Sequence, residues 1–196
     1  PLLRKVCLLT KQVPRFLEPL LLKKNNPSIL ANSFPKSGTH LLVQILESFP
    51  YVKNYDSFIA TTPPIRFKER SKQNLMRRIS WIQSGEMVSA HLVHNKDYVK
   101  ALNKKKCIPF FIYRDPRDVI ISDVFFLTNM HKYHRAHRYF KHRLDNNDQR
   151  ISVGILGIPI QEVNYRYPDI KARFAPYKKW LDQDGVYSVK YEELIS

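Results

Sequence analysis

The stretch that decides the fold reads SILANSFPKSGTHLLVQILESF, from residue 28 to residue 49. Residues 29–34 form a short, mostly apolar run that stops at Pro35, and a Lys-Ser-Gly-Thr turn follows it. Apolar residues then recur at helical spacing, so the stretch predicts a strand, a loop and a helix. In that order, backbone N–H groups of the turn and of the first helical turn point toward one place and attract an anion.

The side chains of this loop suit the same purpose. Gly38 allows close approach of the backbone to a phosphate, Lys36 supplies a mobile positive charge, and the hydroxyls of Ser37 and Thr39 add donors. A lone Ser-Gly-Thr is more often an ordinary surface turn, but the complete strand-loop-helix unit favours an anion site. The loop also resembles half of a nucleotide-triphosphate loop of the GxxxxGK[ST] type, although that motif is absent. A P-loop-type kinase therefore remains an alternative.

The rest of the chain predicts further strands and helices in alternation. Strands are expected at residues 87–92, 107–113 and 186–191, and helices after Asp115-Pro116 and at residues 174–181. Such alternation is typical of an α/β fold, with a central parallel sheet flanked by helices on both faces. Residues 129–151 are polar, rich in His and Arg and weakly periodic, which predicts a surface excursion.

Bulk properties indicate one domain over residues 1–196 and an anionic partner. The chain has 33 Lys and Arg against 17 Asp and Glu, a net charge of +16, with the basic residues spread along its length. Such a charge fits a nucleic acid, an acidic lipid, a sulfated or acidic glycan or a polyphosphorylated cofactor, or simply a solvated surface. Two cysteines are too few for a disulfide framework, and no apolar run reaches the roughly 20 residues of a membrane span. A cytoplasmic location is the simplest expectation.

Residues 34–42, FPKSGTHLL, resemble the phosphosulfate-binding loop of the cytosolic sulfotransferase family, usually written PKSGTTWL. The resemblance implies a P-loop-like nucleotide-binding fold that takes 3′-phosphoadenosine 5′-phosphosulfate (PAPS). In that family the loop holds the 5′-phosphosulfate. By resemblance, the loop residues here are Lys36, Ser37, Gly38, Thr39, His40 and Leu41. His40 replaces the usual Thr, and Leu41 replaces a Trp that helps to pack the adenine.

Three further segments resemble motifs of the same family. Residues 113–123 resemble its 3′-phosphate signature, which implies that Arg114 and Ser122 contact that phosphate; taken alone, Arg114 could simply pair with Asp115 at a helix start. Residues 88–92 resemble the segment ending in a catalytic His, here His91. Residues 189–194 resemble the strand end whose Tyr, here Tyr191, lies close to the adenine.

The resemblance runs from about residue 27 to residue 196 and then stops. Family members continue into an Arg-Lys-Gly motif that closes over the 3′-phosphate, and none follows Tyr191. The sequence also begins with Pro1 rather than Met. We therefore expect a fold truncated at its C-terminus, in a fragment or a processed product.

The resemblance implies a sulfotransferase that moves a sulfuryl group from PAPS to a hydroxyl or amine of a small molecule or glycan. His91 would be the base, Lys36 the cation on the leaving phosphate, and no metal or nucleic acid would take part; a homodimer stays open. The competing hypothesis is a non-catalytic basic module that binds nucleotides or polyanions.

Two further groups of residues are weaker candidates for function. Histidines at positions 131, 134, 137 and 142 do not share one helical face as a metal site would require. Aromatic residues that could line an acceptor pocket are Phe58, Phe67, Trp81, Phe125 and Tyr133.

Overall fold

A computed structural model describes residues 26–50, 52–63 and 68–195. Its strands are β1 (Ser28–Ser33), β2 (Lys53–Ala60), β3 (Glu86–His91), β4 (Cys107–Tyr113), β5 (Gly157–Ile158), β6 (Tyr167–Pro168) and β7 (Tyr187–Lys190). Its helices are α1 (Thr39–Glu47), α2 (Lys72–Ser80), α3 (Lys96–Lys104), α4 (Pro116–Phe125), α5 (His137–His142), α6 (Asn147–Leu156) and α7 (Ile170–Lys178). A π-helical turn (Phe126–Met130) extends α4, and a 3₁₀ turn (Tyr191–Leu194) follows β7. Within these ranges, no helix has both the length and the apolar character needed to cross a membrane.

The central sheet has five strands in the order β2-β3-β1-β4-β7, and every pair in it is parallel. The predicted fold class, an α/β fold with a parallel sheet flanked by helices, is confirmed. The strands predicted from the sequence are present as β1, β3, β4 and β7, each within two residues at either end. Strand β2 and helices α2 and α3 were not predicted.

Alternate residues of β1 divide the core between the two faces of the sheet. Leu30 is fully buried in a cluster with residues of α2, α3 and α7, whereas Ile29 and Ala31 pack in a second cluster with Leu42 and Leu46 of α1. Successive side chains of a strand point to opposite faces, so a strand apolar at both positions must be covered on both sides. Burial of both faces fixes β1 at the centre of the sheet.

Polar contacts fix the carboxyl end of β3 next to that of β1. The side chain of Asn32 donates to the carbonyl of Leu92 (3.0 Å) and accepts from its backbone N–H (2.8 Å). The indole of Trp180 also donates to that carbonyl (2.8 Å). Asn32 and Trp180 are almost completely buried, and satisfied buried polar groups of this kind specify one arrangement of the strands.

The predicted surface excursion at residues 129–151 is exposed over much of its length, but it contains α5 and the start of α6 and contributes a buried apolar face. Ala136, Tyr139 and Phe140 are buried against Ile120 and Leu127 in a third apolar cluster. The buried positions follow the i, i+3, i+4 spacing of one helical face. His, Lys and Arg occupy all the remaining positions from 134 to 143. The apolar periodicity is therefore hard to see in the sequence.

Candidate functional site

The loop between β1 and α1 leaves backbone donors exposed at one end of the sheet. Lys36 and Gly38 have positive φ angles of 69° and 96°, and the N–H of Ser37 donates to the carbonyl of Phe34 (3.2 Å). No side chain caps the N-terminus of α1, where Gly38 is the capping residue. The free N–H groups of this helix end and the positive end of its dipole therefore face whatever binds at the loop.

Two buried donors near this loop have no partner in the described part of the chain. The hydroxyl of Ser37 is one of them, and Nε of Arg114, which follows β4, is the other. A buried donor without a partner costs about 1–3 kcal/mol, and an anion that accepts from both would remove that cost. Both residues are among those that the sequence predicted to bind phosphate.

Tyr191 lies between the loop and Arg114. The guanidinium carbon of Arg114 is 4.3 Å from the centre of the Tyr191 ring, and the same ring covers the Cα of Gly38. Arg114 also donates to the carboxylate of Asp118 at 3.3 Å. The structure thus brings together Lys36, Gly38, Arg114 and Tyr191, whereas Ser122 stands about two turns along α4, partly exposed.

The contact between Gly38 and Tyr191 predicts that Gly38→Ala destabilises the fold by more than backbone strain alone. A Cβ at residue 38 would lie 2.4 Å from Cδ2 of Tyr191, so the ring must move. Gly185→Ala is the matched control because Gly185 also has a positive φ (76°) but no described atom lies within 4 Å of its Cβ position. We expect about 1–2 kcal/mol from strain in the control and roughly 1–3 kcal/mol more in Gly38→Ala, measured by urea unfolding. Equal losses in the two variants would contradict the contact.

The ammonium group of Lys36 lies 3.9 Å from the centre of the Phe126 ring. Partial burial lowers the pKa of Lys36, and the nearby carboxylate of Asp123 opposes that shift. Asp123 is itself held by Arg173 (2.8 Å) and by the hydroxyl of Tyr167 (2.9 Å). The lysine therefore sits on an aromatic surface rather than in a tight ion pair, which leaves it available to an anionic ligand.

His91 ends β3 and is hydrogen-bonded to the loop through Ser33. Its Nδ1 is 2.9 Å from Oγ of Ser33 and 3.2 Å from the Ser33 carbonyl oxygen. Ser33 Oγ is in turn 2.6 Å from Oγ1 of Thr39, the first residue of α1. Burial lowers the pKa of His91 to about 4, because hydrogen bonds to backbone groups only partly offset desolvation. His91 is therefore neutral at pH 7.

The remaining candidates differ in their surroundings. His40 is exposed and its positive form disfavours protonation of His91, which indicates that the two imidazoles are near each other. Leu41 is partly buried. Among the aromatic candidates, Phe58 lies next to the site, with its ring edge-to-face on His91 at 5.1 Å; Phe67 lies outside the described residues.

Sequence reasoning missed Ser33, Phe126 and Asp123. Ser33 could have been found, because the last residue of β1 lies beside the carboxyl end of the neighbouring strand, where ligands bind in open parallel sheets. Phe126 depends on the π-helical turn after α4, which no periodicity in the sequence indicates, whereas Asp123 lies in α4 and its nearness to Lys36 depends on tertiary packing.

The His-rich segment forms no metal centre among the described residues, where no group of three or more His, Cys, Asp or Glu could hold an ion. Its imidazoles have other partners. Nδ1 of His137 is 2.8 Å from the carbonyl oxygen of Leu127, and the ring of His131 packs on Phe126 at 5.3 Å. The contact of His137 attaches α5 to the π-helical turn, whose Phe126 lies against the ammonium of Lys36.

Comparison with known proteins identifies a family and several solved structures of similar fold. A family model described as a sulfotransferase domain matches residues 26–196. The structure of a mouse sulfotransferase, SULT7A1, complexed with PAP is similar with a TM-score of 0.50 and 17% identity, over 87% of this chain and 53% of that one. The chain thus spans about half the length of that protein.

A shikimate kinase from Bacteroides thetaiotaomicron is also similar, with a TM-score of 0.43 and 15% identity, over 87% of this chain and 89% of that one. No curated protein sequence matches the chain. At these identities the solved structures report on the fold alone.

Proposed function

The chain belongs to the sulfotransferase family, and we propose that it transfers a sulfuryl group from PAPS to a hydroxyl or amine, with His91 as the base. The observation that carries the proposal is the hydrogen-bonded path His91, Ser33, Thr39, which joins a neutral imidazole to the anion-binding loop. The PAP bound to the mouse relative supports the choice of donor. Because that relative is about twice as long, the activity of the whole protein is part of the proposal.

Each loop residue has a distinct task in this mechanism. Ser37, Gly38, Thr39 and the N-terminus of α1 hold the 5′-phosphosulfate, and His40 and Leu41 border it. Lys36 leaves the Phe126 ring and stabilises the negative charge that builds on the leaving phosphate oxygen. A sulfuryl group carries less negative charge than a γ-phosphate, so these donors can suffice without a metal clamp.

Ser33 gives His91 the tautomer that a base requires. The carbonyl of Ser33 can only accept, so the hydrogen bond at 3.2 Å places a proton on Nδ1 and leaves the lone pair of Nε2 free. The Ser33 hydroxyl, 2.9 Å away, can accept from the same Nδ1–H and donate to Thr39. Nε2 then removes the proton of the acceptor while the acceptor oxygen attacks sulfur in line with the leaving phosphate.

Arg114, Ser122 and Tyr191 are proposed to recognise the 3′-phosphoadenosine end. We expect 3′-phosphoadenosine 5′-phosphate to bind at least about tenfold more tightly than adenosine 5′-phosphate, which has no group for Arg114. Isothermal titration calorimetry measures both affinities. Arg114→Gln should abolish the preference, and the control Arg117→Gln, which alters an exposed arginine of the same segment, should retain it. Equal affinities for the two nucleotides would contradict the assignment, and tighter binding of ATP with Mg²⁺ would favour a kinase.

The neutral state of His91 predicts a specific pH dependence. The pKa of His91 is about 4 in the native state and near 6.5 in an unfolded chain. As the pH falls, the unfolded state therefore takes up the proton at a higher pH than the native state does. His91 should therefore make the free energy of unfolding fall as the pH drops from about 6.5 to about 4. An NMR titration of the His91 imidazole should give a midpoint near 4 in the native protein and near 6.5 in urea. A native midpoint near 6.5 would contradict its burial.

A further inference from the structure

A groove lined by arginines runs along one side of α5. It has a volume of about 470 Å³ and lies between α5, with the residues that flank it, and the segment 162–165. Arg138 and His142 are four residues apart in α5, so they share a helical face, and Arg135 lines the groove from the turn just before the helix. Arg143 lines the same groove just after the helix. This size is typical of a site for a ligand of a few rings.

The choice of basic residue differs between the groove and its surroundings. Residues 132–143 contain Lys132 and Lys141 besides the three arginines, and both lysines are exposed outside the groove. If these basic residues served solubility alone, we would expect arginine and lysine both inside and outside the groove. Arginine presents a planar fork of donors that matches a carboxylate or sulfate group in two hydrogen bonds, whereas lysine acts as a point charge.

One residue that lines the groove, Tyr165, also has a buried hydroxyl without a partner among the described residues. The single carboxylate that lines the groove, that of Glu162, accepts from the hydroxyl of Tyr139 at 2.5 Å. The lining therefore has an excess of hydrogen-bond donors and of positive charge, which an anionic ligand would satisfy.

Continuous contacts connect the groove to the proposed reaction centre. Helix α5 is bonded to the π-helical turn through His137 and Leu127 (2.8 Å). The ammonium of Lys36 lies on Phe126 of that same turn. His137 lies on a different face of α5 from Arg138 and His142, so a ligand must extend around this helix to approach the side of the molecule that carries Lys36.

We propose that this groove binds an acidic carbohydrate chain that carries carboxylate or sulfate groups. A single-stranded nucleic acid is the less suitable polyanion because it requires exposed aromatic faces for its bases, whereas Tyr139 is buried and Tyr165 is partly buried. The hydroxyls of such a carbohydrate would also make it the acceptor. That last step rests on the proposed sulfuryl transfer, whereas binding in the groove does not.

Binding of defined oligomers to the whole chain tests the groove. A sulfated oligosaccharide, a polyuronate oligomer that carries carboxylates alone, and a neutral oligosaccharide of the same length are compared by calorimetry at about 150 mM salt, where long-range attraction is screened. The double variant Arg138→Ala/Arg143→Ala should bind an acidic oligomer at least about tenfold more weakly. Lys132→Ala/Lys141→Ala removes the same charge from the same segment and should lose less than about threefold. Tyr165→Phe, which removes one hydroxyl, should lose about threefold or more.

Three results would overturn the groove as a carbohydrate site. These are equal losses in the two double variants, equal binding of the neutral oligomer, and tighter binding of a single-stranded DNA with the same charge. PAP affinity, measured on every variant, separates this proposal from the proposed function. Retained PAP binding shows that a variant is folded. If the unmodified chain does not bind PAP, the proposed function is wrong. The oligosaccharide comparisons then still test the groove, because binding there does not depend on sulfuryl transfer.

Discussion

Replacing His91 by asparagine is expected to lower the rate of sulfuryl transfer by about 10²- to 10⁴-fold while nucleotide affinity stays nearly unchanged. The amide of asparagine can still donate toward the Ser33 carbonyl, so the end of β3 keeps its contact with β1. The Nε2 lone pair is lost together with the ring contact to Phe58, and the lone pair faces the acceptor rather than the phosphates in our mechanism. Transfer of labelled sulfate to a panel of carbohydrate and phenolic acceptors measures the rate, and calorimetry with PAP measures the affinity.

His40→Asn is the matched control for this experiment. His40, the second residue of α1, lies near His91 and is the other imidazole that could act as a base. We expect this variant to retain most of the activity. Full activity in His91→Asn together with an inactive His40→Asn would transfer the role of base to His40.

Replacing Lys36 by methionine is expected to damage both binding and catalysis. The ammonium group pairs with the phosphosulfate in the ground state and more strongly with the leaving group in the transition state. We therefore expect PAP affinity to fall by about tenfold and turnover by a further 10²- to 10³-fold, the usual effect of removing one stabilising donor. Methionine keeps an unbranched stem that can pack on Phe126, so the loop loses charge rather than its apolar contact.

Lys106→Met provides the control for the unusual backbone of Lys36. Lys106 also has a positive φ, 52°, and lies exposed in the turn before β4. The same substitution there should leave PAP affinity and turnover unchanged. Normal affinity in Lys36→Met would remove the loop from the proposed donor site.

The sequence predicted the sheet well where strands are continuously apolar and end at a Pro, Arg or Gly. Strands β1 and β4 have this form, and the loop after β1 carries its own distinctive residues; β3 (EMVSAH) and β7 (YSVK) are less apolar, and β7 was located by the Asp184-Gly185 turn before it. Strand β2 was missed because it reads KNYDSFIA, with only its last two residues buried, and its register with β3 is interrupted between Asn54 and Phe58. Such a half-exposed edge strand has too little apolar periodicity to identify.

The sequence predicted which residue types form the candidate site but not the contacts that these residues make. Lys36, His91 and Arg114 follow from motifs that are local in sequence. The partners that define their state are distant: Ser33 is 58 positions from His91, and Phe126 is 90 positions from Lys36. Tertiary packing alone creates those contacts, so only a structure can show that the imidazole is neutral and that the lysine rests on a ring.

The position of Tyr191 against Gly38 has a consequence for the order in which the protein acquires its shape during synthesis. Phe110 of β4 pairs with Tyr187 of β7, 77 positions later, and the ring over the loop comes four residues after that. The ribosome therefore releases the loop long before the residue that covers it, and closure of so long a segment is slow. Until that strand docks, the nascent chain exposes an unfinished edge at β4, a surface on which chaperones and competing strands can act.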